Sequence, residues 1–378
     1  MADAERAKHR WWWVLALVAF GALGLYLGAP DTDVLHGAWG RLRAHPIAAI
    51  AIVAGGAIGL AVTEALRIAV IGRLVGVRIH ARDAWDAAVA NHVMTAITPQ
   101  IGLGEPTVAY TLGKRGVPWD AAVAVPFIKF TTSLALVFLL GALLVASGYG
   151  PPVDRWARIG AVIWFLGIAA ITILVIEVCS RPAIAERWIG RLAGWFRRRR
   201  DTESWQARVD RAAKVTGEMV HRLARARGLR SAGDRRHTGD DGAPNDDRAS
   251  APPEGDLVEH AAVAPPGRVT GLFALIGVHL VYYASYVAPL VGIALVLGEP
   301  PALDLSLRAL VFLCFIFATP IPGGTGVSEA AAGVFFADLL APADAIIAVA
   351  VFRAATYYLQ LLIGALYLPI RSLALSKR

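Results

Sequence analysis

Runs of close to twenty or more consecutive apolar residues recur along this chain, and no other feature limits its fold so severely. A helix rises about 1.5 Å per residue, so about 20 apolar residues cross the roughly 30 Å hydrocarbon core of a bilayer. Such runs cover 11–29, 47–74, 119–146, 159–178, 269–297 and 344–370. Two further apolar stretches, 85–112 and 307–340, are interrupted by proline and glycine. The chain is 56% hydrophobic and 17% charged, with mean hydropathy +0.54. A soluble domain is nearer 45–50% and about 25%. That excess of apolar residues excludes a soluble enzyme, a secreted disulfide scaffold and a disordered regulator. The two cysteines, Cys179 and Cys314, sit inside apolar runs and form neither a zinc cluster nor a disulfide framework.

Positive charge orients the runs. Arg6, Lys8, His9 and Arg10 precede the first one, which reads as an uncleaved helix with a cytoplasmic N-terminus rather than a signal peptide. Arg73, Arg78 and Arg82 precede the first interrupted stretch, and Lys114 and Arg115 follow it. Both of its ends therefore fall on the cytoplasmic side, as in a re-entrant hairpin. The C-terminal Arg371, Lys377 and Arg378 are cytoplasmic too. The less basic loops at 30–45, 147–158 and 298–306 fall outside. Six crossings satisfy all of this if the second interrupted stretch re-enters from the outside.

The two interruptions resemble each other. One reads Thr98-Pro99-Gln100-Ile101-Gly102-Leu103-Gly104-Glu105. The other reads Thr319-Pro320-Ile321-Pro322-Gly323-Gly324-Thr325-Gly326-Val327-Ser328-Glu329. Lys129 lies 24 residues beyond Glu105, and Arg353 lies 24 beyond Glu329. An offset of 224 also carries 47–74 onto 269–297. Each half then reads span, span, broken hairpin, span, with opposite starting sides. The expected fold is all-α: a polytopic membrane protein of six transmembrane helices and two re-entrant hairpins in an inverted-topology repeat. The first repeat occupies 1–147 and the second begins at 148–180. A cytoplasmic insertion at 181–268 follows, and 269–370 completes the second repeat.

Irregular backbone at membrane depth is tolerated where protein or a water-filled cavity satisfies it. Pro99, Gly102, Gly104, Pro322, Gly323, Gly324 and Gly326 are therefore expected to shape a cavity wall. Helices restarting near Gly104 and Gly326 present free N–H groups that suit an anion. Lys129 and Arg353 add full positive charge, and a guanidinium fork suits phosphate. Glu105 and Glu329 either pair with those bases or contact a substrate, and both roles remain open. Glu64 and Arg67, three apart on one helix, read as a local pair. His279, Tyr282, Tyr283 and Tyr286 share one helix face and read as an interhelical stripe more than a cavity wall. Asn91 and His92 are placed to bond the broken backbone.

The insertion divides in two. Its first part, 181–230, holds fourteen basic and five acidic residues, interleaved with Trp188, Trp195 and Trp205. Amphipathic helices on anionic lipid and a solvated basic loop fit it equally. The rest, 231–268, is rich in Gly, Pro, Ala and Asp and reads as disordered. No nucleic-acid fold motif accompanies the charge, so nucleic acid is not an expected partner.

At these motifs the chain resembles the transmembrane, flippase-like part of lysylphosphatidylglycerol synthase, the multiple peptide resistance factor. The resemblance rests on Thr98-Pro99 with Gly104-Glu105, on the 320–330 segment, and on Arg353 with Tyr357-Tyr358. It covers roughly 11–178 and 269–370. The family has an arginine where Lys129 stands, with an aspartate where Thr132 stands. The synthase's soluble aminoacyl-transferase domain has no counterpart here. The resemblance therefore implies lipid translocation in a cytoplasmic membrane and a homodimer, not lipid aminoacylation.

The expected function is movement of an anionic phospholipid, glycolipid or polyprenyl-phosphate-linked lipid between leaflets. Lys129 and Arg353 would contact the anion, with Glu105 and Glu329 pairing or gating. Neither enzymatic activity, a cofactor nor a metal is expected. Two readings compete with this one: a scaffold or subunit for a lipid-modifying enzyme, and a membrane-embedded glycosyltransferase or phosphotransferase.

Overall fold

In the computed structural model, residues 32–98, 104–198, 203–226, 266–298, 302–319, 327–336 and 338–376 are described. The described backbone is built of helices: α1 (Thr32–Ala44), α2 (Pro46–Leu74), α3 (Ala81–Ile97), α4 (Gly104–Lys114), α5 (Trp119–Ala146), α6 (Arg155–Cys179), α7 (Pro182–Arg197), α8 (Glu203–Ala226), α9 (Arg268–Val296), α10 (Ala302–Ala318), α11 (Val327–Phe336), α12 (Pro342–Arg353) and α13 (Leu359–Ser376). A π-helical turn, Ala354–Tyr358, joins α12 to α13 into one long element. Among the described residues, five elements are long and apolar enough to cross a membrane: Pro46–Leu74, Trp119–Ala146, Arg155–Cys179, Val269–Val296 and Pro342–Tyr367. They coincide with five of the six expected runs. The sixth, 11–29, lies outside the described residues. The chain is a multi-pass membrane protein.

Local chemistry sets the element ends. Pro46 opens α2, where its missing N–H costs nothing. Gly76, at φ 82°, closes α2: its N–H bonds the Arg73 carbonyl at 3.1 Å and Val77 bonds Gly72 at 2.9 Å. Gly116, at φ 89°, closes α4 in the same way. Only glycine takes that left-handed conformation without steric cost, and it lets the last carbonyls find donors. Asp154 caps α6 by accepting from the N–H groups of Trp156 and Ala157, both at 2.8 Å.

The first interrupted stretch is a helical hairpin. Helix α3 spans about 25 Å and α4 about 16 Å at 1.5 Å per residue, so neither crosses a bilayer alone. They pack against each other, and Gly104 at the start of α4 abuts Asn91 and Thr95 on α3. The chain thus doubles back between Thr98 and Gly104. Helices α10 and α11 flank the second interruption and also pack together.

Shifted by 224 residues, α2, α3, α4 and α5 fall on 270–298, 305–321, 328–338 and 343–370. The observed counterparts are Arg268–Val296 (α9), Ala302–Ala318 (α10), Val327–Phe336 (α11) and the composite element that begins at Pro342. The α2–α9 contact is extensive, and a Cβ on Gly56 of α2 would strike Pro289 of α9. Two apolar cores result. One joins α2, α3, α4 and α5, and the other joins α5, α6, α9, α10, α11 and α12.

One segment differs from its loop reading, and another takes the helical one of its two readings. Residues 30–45 include the helix α1, whose Arg41 pairs with Asp344 of α12. The basic part of 181–230 includes α7 and α8, which pack together, with Met219 and Val220 of α8 buried in the first core. Arg222 of α8 donates to Asp120 of α5 and, at 3.1 Å, to the Val75 carbonyl beyond α2. Apolar residues at helical spacing let this segment bury one face. The stretch 231–265 lies outside the described residues.

Candidate functional site

The site begins with a carboxylate in the middle of an apolar helix. Glu64 of α2 is fully buried, and so nearly is Arg67 one turn on, at 3% exposure. Their pairing, Arg67 Nη1 to Glu64 Oε2 at 2.9 Å, is the local pair expected from the spacing. It is only part of the arrangement. Glu64 Oε1 accepts from Asn91 Nδ2 of α3 at 2.9 Å and forms an ion pair with Lys129 of α5. Lys129 Nζ also lies 3.0 Å from Glu105 Oε2, in the first turn of α4. Three charged side chains from α2 and α5 and one from α4 therefore close a network inside the first half. A buried charge is costly unless it is paired and hydrogen-bonded.

Gly104 makes this closure possible. A Cβ there would overlap the side chains of Asn91 and Thr95, so a larger residue would push α4 away from α3. Glu105 would then leave Lys129.

Aromatic rings build the facing wall. The Arg67 guanidinium lies over the Tyr282 ring of α9, 3.9 Å from its centre. The Arg353 guanidinium, buried at 2% exposure, lies over Tyr357 at 4.3 Å. Stacking of this kind holds a guanidinium while leaving its edge able to donate. Arg353 ends α12 where the π-helical turn begins, and such turns often mark functional sites. Tyr357 also donates to the Ala96 carbonyl at 3.1 Å, satisfying a backbone acceptor at the end of α3. Gln360 donates to the Ala57 carbonyl of α2 at 2.7 Å.

These groups surround a cavity of about 120 Å³. Helices α2, α3, α4 and α5 supply one side, and α9, α10 and the α12–α13 element supply the other. Liquid water takes about 30 Å³ per molecule, so the space suits a small polar group and not a whole lipid.

Of the residues singled out in the sequence, Gly104, Glu105, Lys129 and Arg353 line this one cavity. Lys129 and Arg353 are more than two hundred residues apart in the chain. Pro99, Gly102, Pro322, Gly323, Gly324 and Gly326 lie outside the described residues, as does the Glu329 side chain. Tyr282 and Tyr286 line the cavity. Tyr283 instead donates to the Ser133 carbonyl of α5 at 2.7 Å, and the His279 ring approaches Thr132 Oγ1 at 3.2 Å. The aromatic stripe is thus partly cavity wall and partly helix contact. Asn91 Nδ2 bonds Glu64, and the broken backbone at 99–103 that Asn91 was expected to bond lies outside the described residues. Sequence reasoning missed Glu64 and Arg67 as site residues, although ionisable groups in mid-span were signal enough.

No curated protein and no solved structure matches the chain. The model of the lysylphosphatidylglycerol synthase transmembrane region matches residues 3–364, nearly the whole length. This multi-pass membrane protein, with a membrane lipid-related function, belongs to that family.

Proposed function

We propose that the protein moves an anionic lipid between the leaflets of the cytoplasmic membrane, passing the headgroup through the cavity between its two halves. The observation that carries this reading is the convergence of Lys129, Arg67 and Arg353 on one buried polar space. Cations at membrane depth are costly unless function or pairing retains them. The acyl chains stay in the surrounding lipid while the phosphate crosses. Lys129 and Arg353 attract the anion, and Glu105 releases Lys129 as the anion arrives. Of the two carboxylates on Lys129, Glu105 is the more exposed, at 19% against 1% for the Glu64 side chain.

Recurrence of the element bounds at 224 residues supports an inverted repeat, with the cavity at its interface. On this reading the α3–α4 hairpin enters and leaves on the cytoplasmic side, as do both termini. The substrate is a phospholipid, a glycolipid or a polyprenyl-phosphate-linked lipid, and the protein works as a carrier rather than an enzyme. A homodimer fits the family.

Leaflet exchange in sealed proteoliposomes tests the proposal. Short-chain fluorescent lipids with anionic and zwitterionic headgroups are followed by dithionite protection. Wild-type protein should accelerate exchange in a headgroup-dependent way. Arg353→Ala and Lys129→Ala should return it towards the rate of empty vesicles. Exchange that persists at the wild-type rate in both variants would contradict the assignment.

A further inference from the structure

Outside the spanning helices, α7 leaves an apolar stripe uncovered. Trp188, Leu192 and Trp195 are 55%, 53% and 44% exposed. At 3.6 residues per turn they fall within about 60° of one another around the helix axis, so they form one surface. Large apolar side chains gathered in this way mark an interaction surface. The neighbouring side of α7 is already in use. Ala185 is buried in the first core, Ile189 packs against that core, and Ala193 is buried where α7 meets α8. On the other edge of the stripe stand Arg187, Arg191 and Arg198. The Arg191 guanidinium lies 5.6 Å from the centre of the Trp188 ring. Arg187 and Arg198 donate to carbonyls of their own helix, Ala183 at 2.8 Å and Gly194 at 3.3 Å. The acid of α7, Glu186, lies on the far side of the helix and meets His221 of α8 at 2.7 Å.

The position of α7 says what covers the stripe. Ser180 and Arg181 alone separate it from α6, a helix of spanning length whose Ile171, Leu174 and Val175 are exposed. Helix α7 therefore starts at the membrane boundary. Helix α8 holds it there, because Arg222 is bonded to Asp120 in the first turn of α5 and to the Val75 carbonyl just beyond α2. Tryptophan favours the boundary layer between water and hydrocarbon, and an arginine row is drawn to anionic headgroups. An apolar stripe with a basic edge is the form of a helix lying in that layer. We propose that α7 lies on the leaflet at which α6 ends, with Trp188, Leu192 and Trp195 among the lipids and Arg187, Arg191 and Arg198 on anionic headgroups. The contact is separate from the cavity and does not depend on the carrier reading.

The depth of spin labels in lipid nanodiscs tests it on the full chain. Leu192→Cys lies in the stripe. Gly190→Cys lies on the opposite, exposed face, where an added Cβ meets nothing within 4 Å. Each is made after replacing Cys179 and Cys314 and is labelled with a nitroxide. Relaxation by dissolved oxygen and by a water-soluble nickel chelate reports how deep each label sits. In nanodiscs of phosphatidylcholine and phosphatidylglycerol in equal amounts, the label at 192 should be several-fold less open to nickel than the label at 190. It should move towards water in phosphatidylcholine alone and in 1 M salt, where the screening length falls to about 3 Å. An arginine near an anionic surface biases binding about fivefold, so R187Q/R191Q/R198Q should remove most of the dependence on phosphatidylglycerol. Equal nickel access at 192 and 190 in the anionic nanodiscs overturns the inference and leaves the stripe to a soluble partner. A label at 192 that sits equally deep without phosphatidylglycerol overturns it too, as does a triple variant that keeps the wild-type dependence.

Discussion

The two halves of the cavity hold their cations in different ways. In the first half Lys129 is met by Glu64 and Glu105, and Glu64 is met in turn by Arg67 and Asn91. In the second half the described wall is aromatic: Tyr282, Tyr286, Phe317 and Tyr357, with Arg353 on the ring of Tyr357. A lysine ammonium is a compact, strongly hydrated charge that needs carboxylates when buried. A guanidinium is weakly hydrated and stacks, so an aromatic seat serves it. The described cavity wall is therefore filled with ionic compensation on one side and stacking on the other. The first half should be the more sensitive to charge deletion. The second should be the more tolerant of conservative change.

The largest expected effect comes from Glu64→Ala, which leaves buried Lys129 with Glu105 and takes the carboxylate from buried Arg67. Losing one partner of a buried pair costs about 3–5 kcal/mol. Thermal unfolding in detergent should show a large drop, and an unchanged midpoint would show that the network is not compensating charge. Next is Gly104→Ala, where a Cβ meets Asn91 and Thr95. Overpacking of this kind costs about 1–3 kcal/mol. It should also reduce leaflet exchange by moving Glu105, and a variant matching wild type in both assays would remove the close-approach argument. Tyr357→Phe keeps the ring under Arg353 but leaves the Ala96 carbonyl without that donor. A loss of about 1 kcal/mol with exchange largely retained is predicted. Collapse of exchange in this variant would give the hydroxyl a role beyond the backbone. The smallest effect is Arg181→Ala, which breaks an exposed pair with Glu177 at 2.7 Å. Such pairs contribute about 0–1 kcal/mol, so its unfolding midpoint should stay close to wild type.

Much of this architecture is legible in the chain because bilayer physics leaves few options. Five apolar runs read from the sequence are five helices of spanning length. The matched Thr-Pro-Gly-Glu breaks led to Gly104, Glu105, Lys129 and Arg353, which do meet in space. Glu64 was hidden by a sufficient local explanation. Arg67 three residues on accounts for its charge, and nothing in one sequence points to Lys129, 65 residues away. His92 and Asn91 were assigned to the backbone break because they precede it. The Asn91 bond to Glu64 depends on how α3 turns against α2, which periodicity does not encode. The α7–α8 pair was legible as one of two readings, amphipathic helices, but its packing on the first core was not, because its buried face consists of a few small and apolar residues among fourteen basic ones.

The central claim is that the cavity between the halves is the path of the headgroup. Ser133 of α5 lines it and is nearly buried. Ser133→Cys, made after replacing Cys179 and Cys314, places one thiol there. Treatment with a charged methanethiosulfonate in proteoliposomes is predicted to modify that thiol and stop leaflet exchange, with anionic lipid slowing the modification. Wild-type exchange by the fully modified protein would contradict the account.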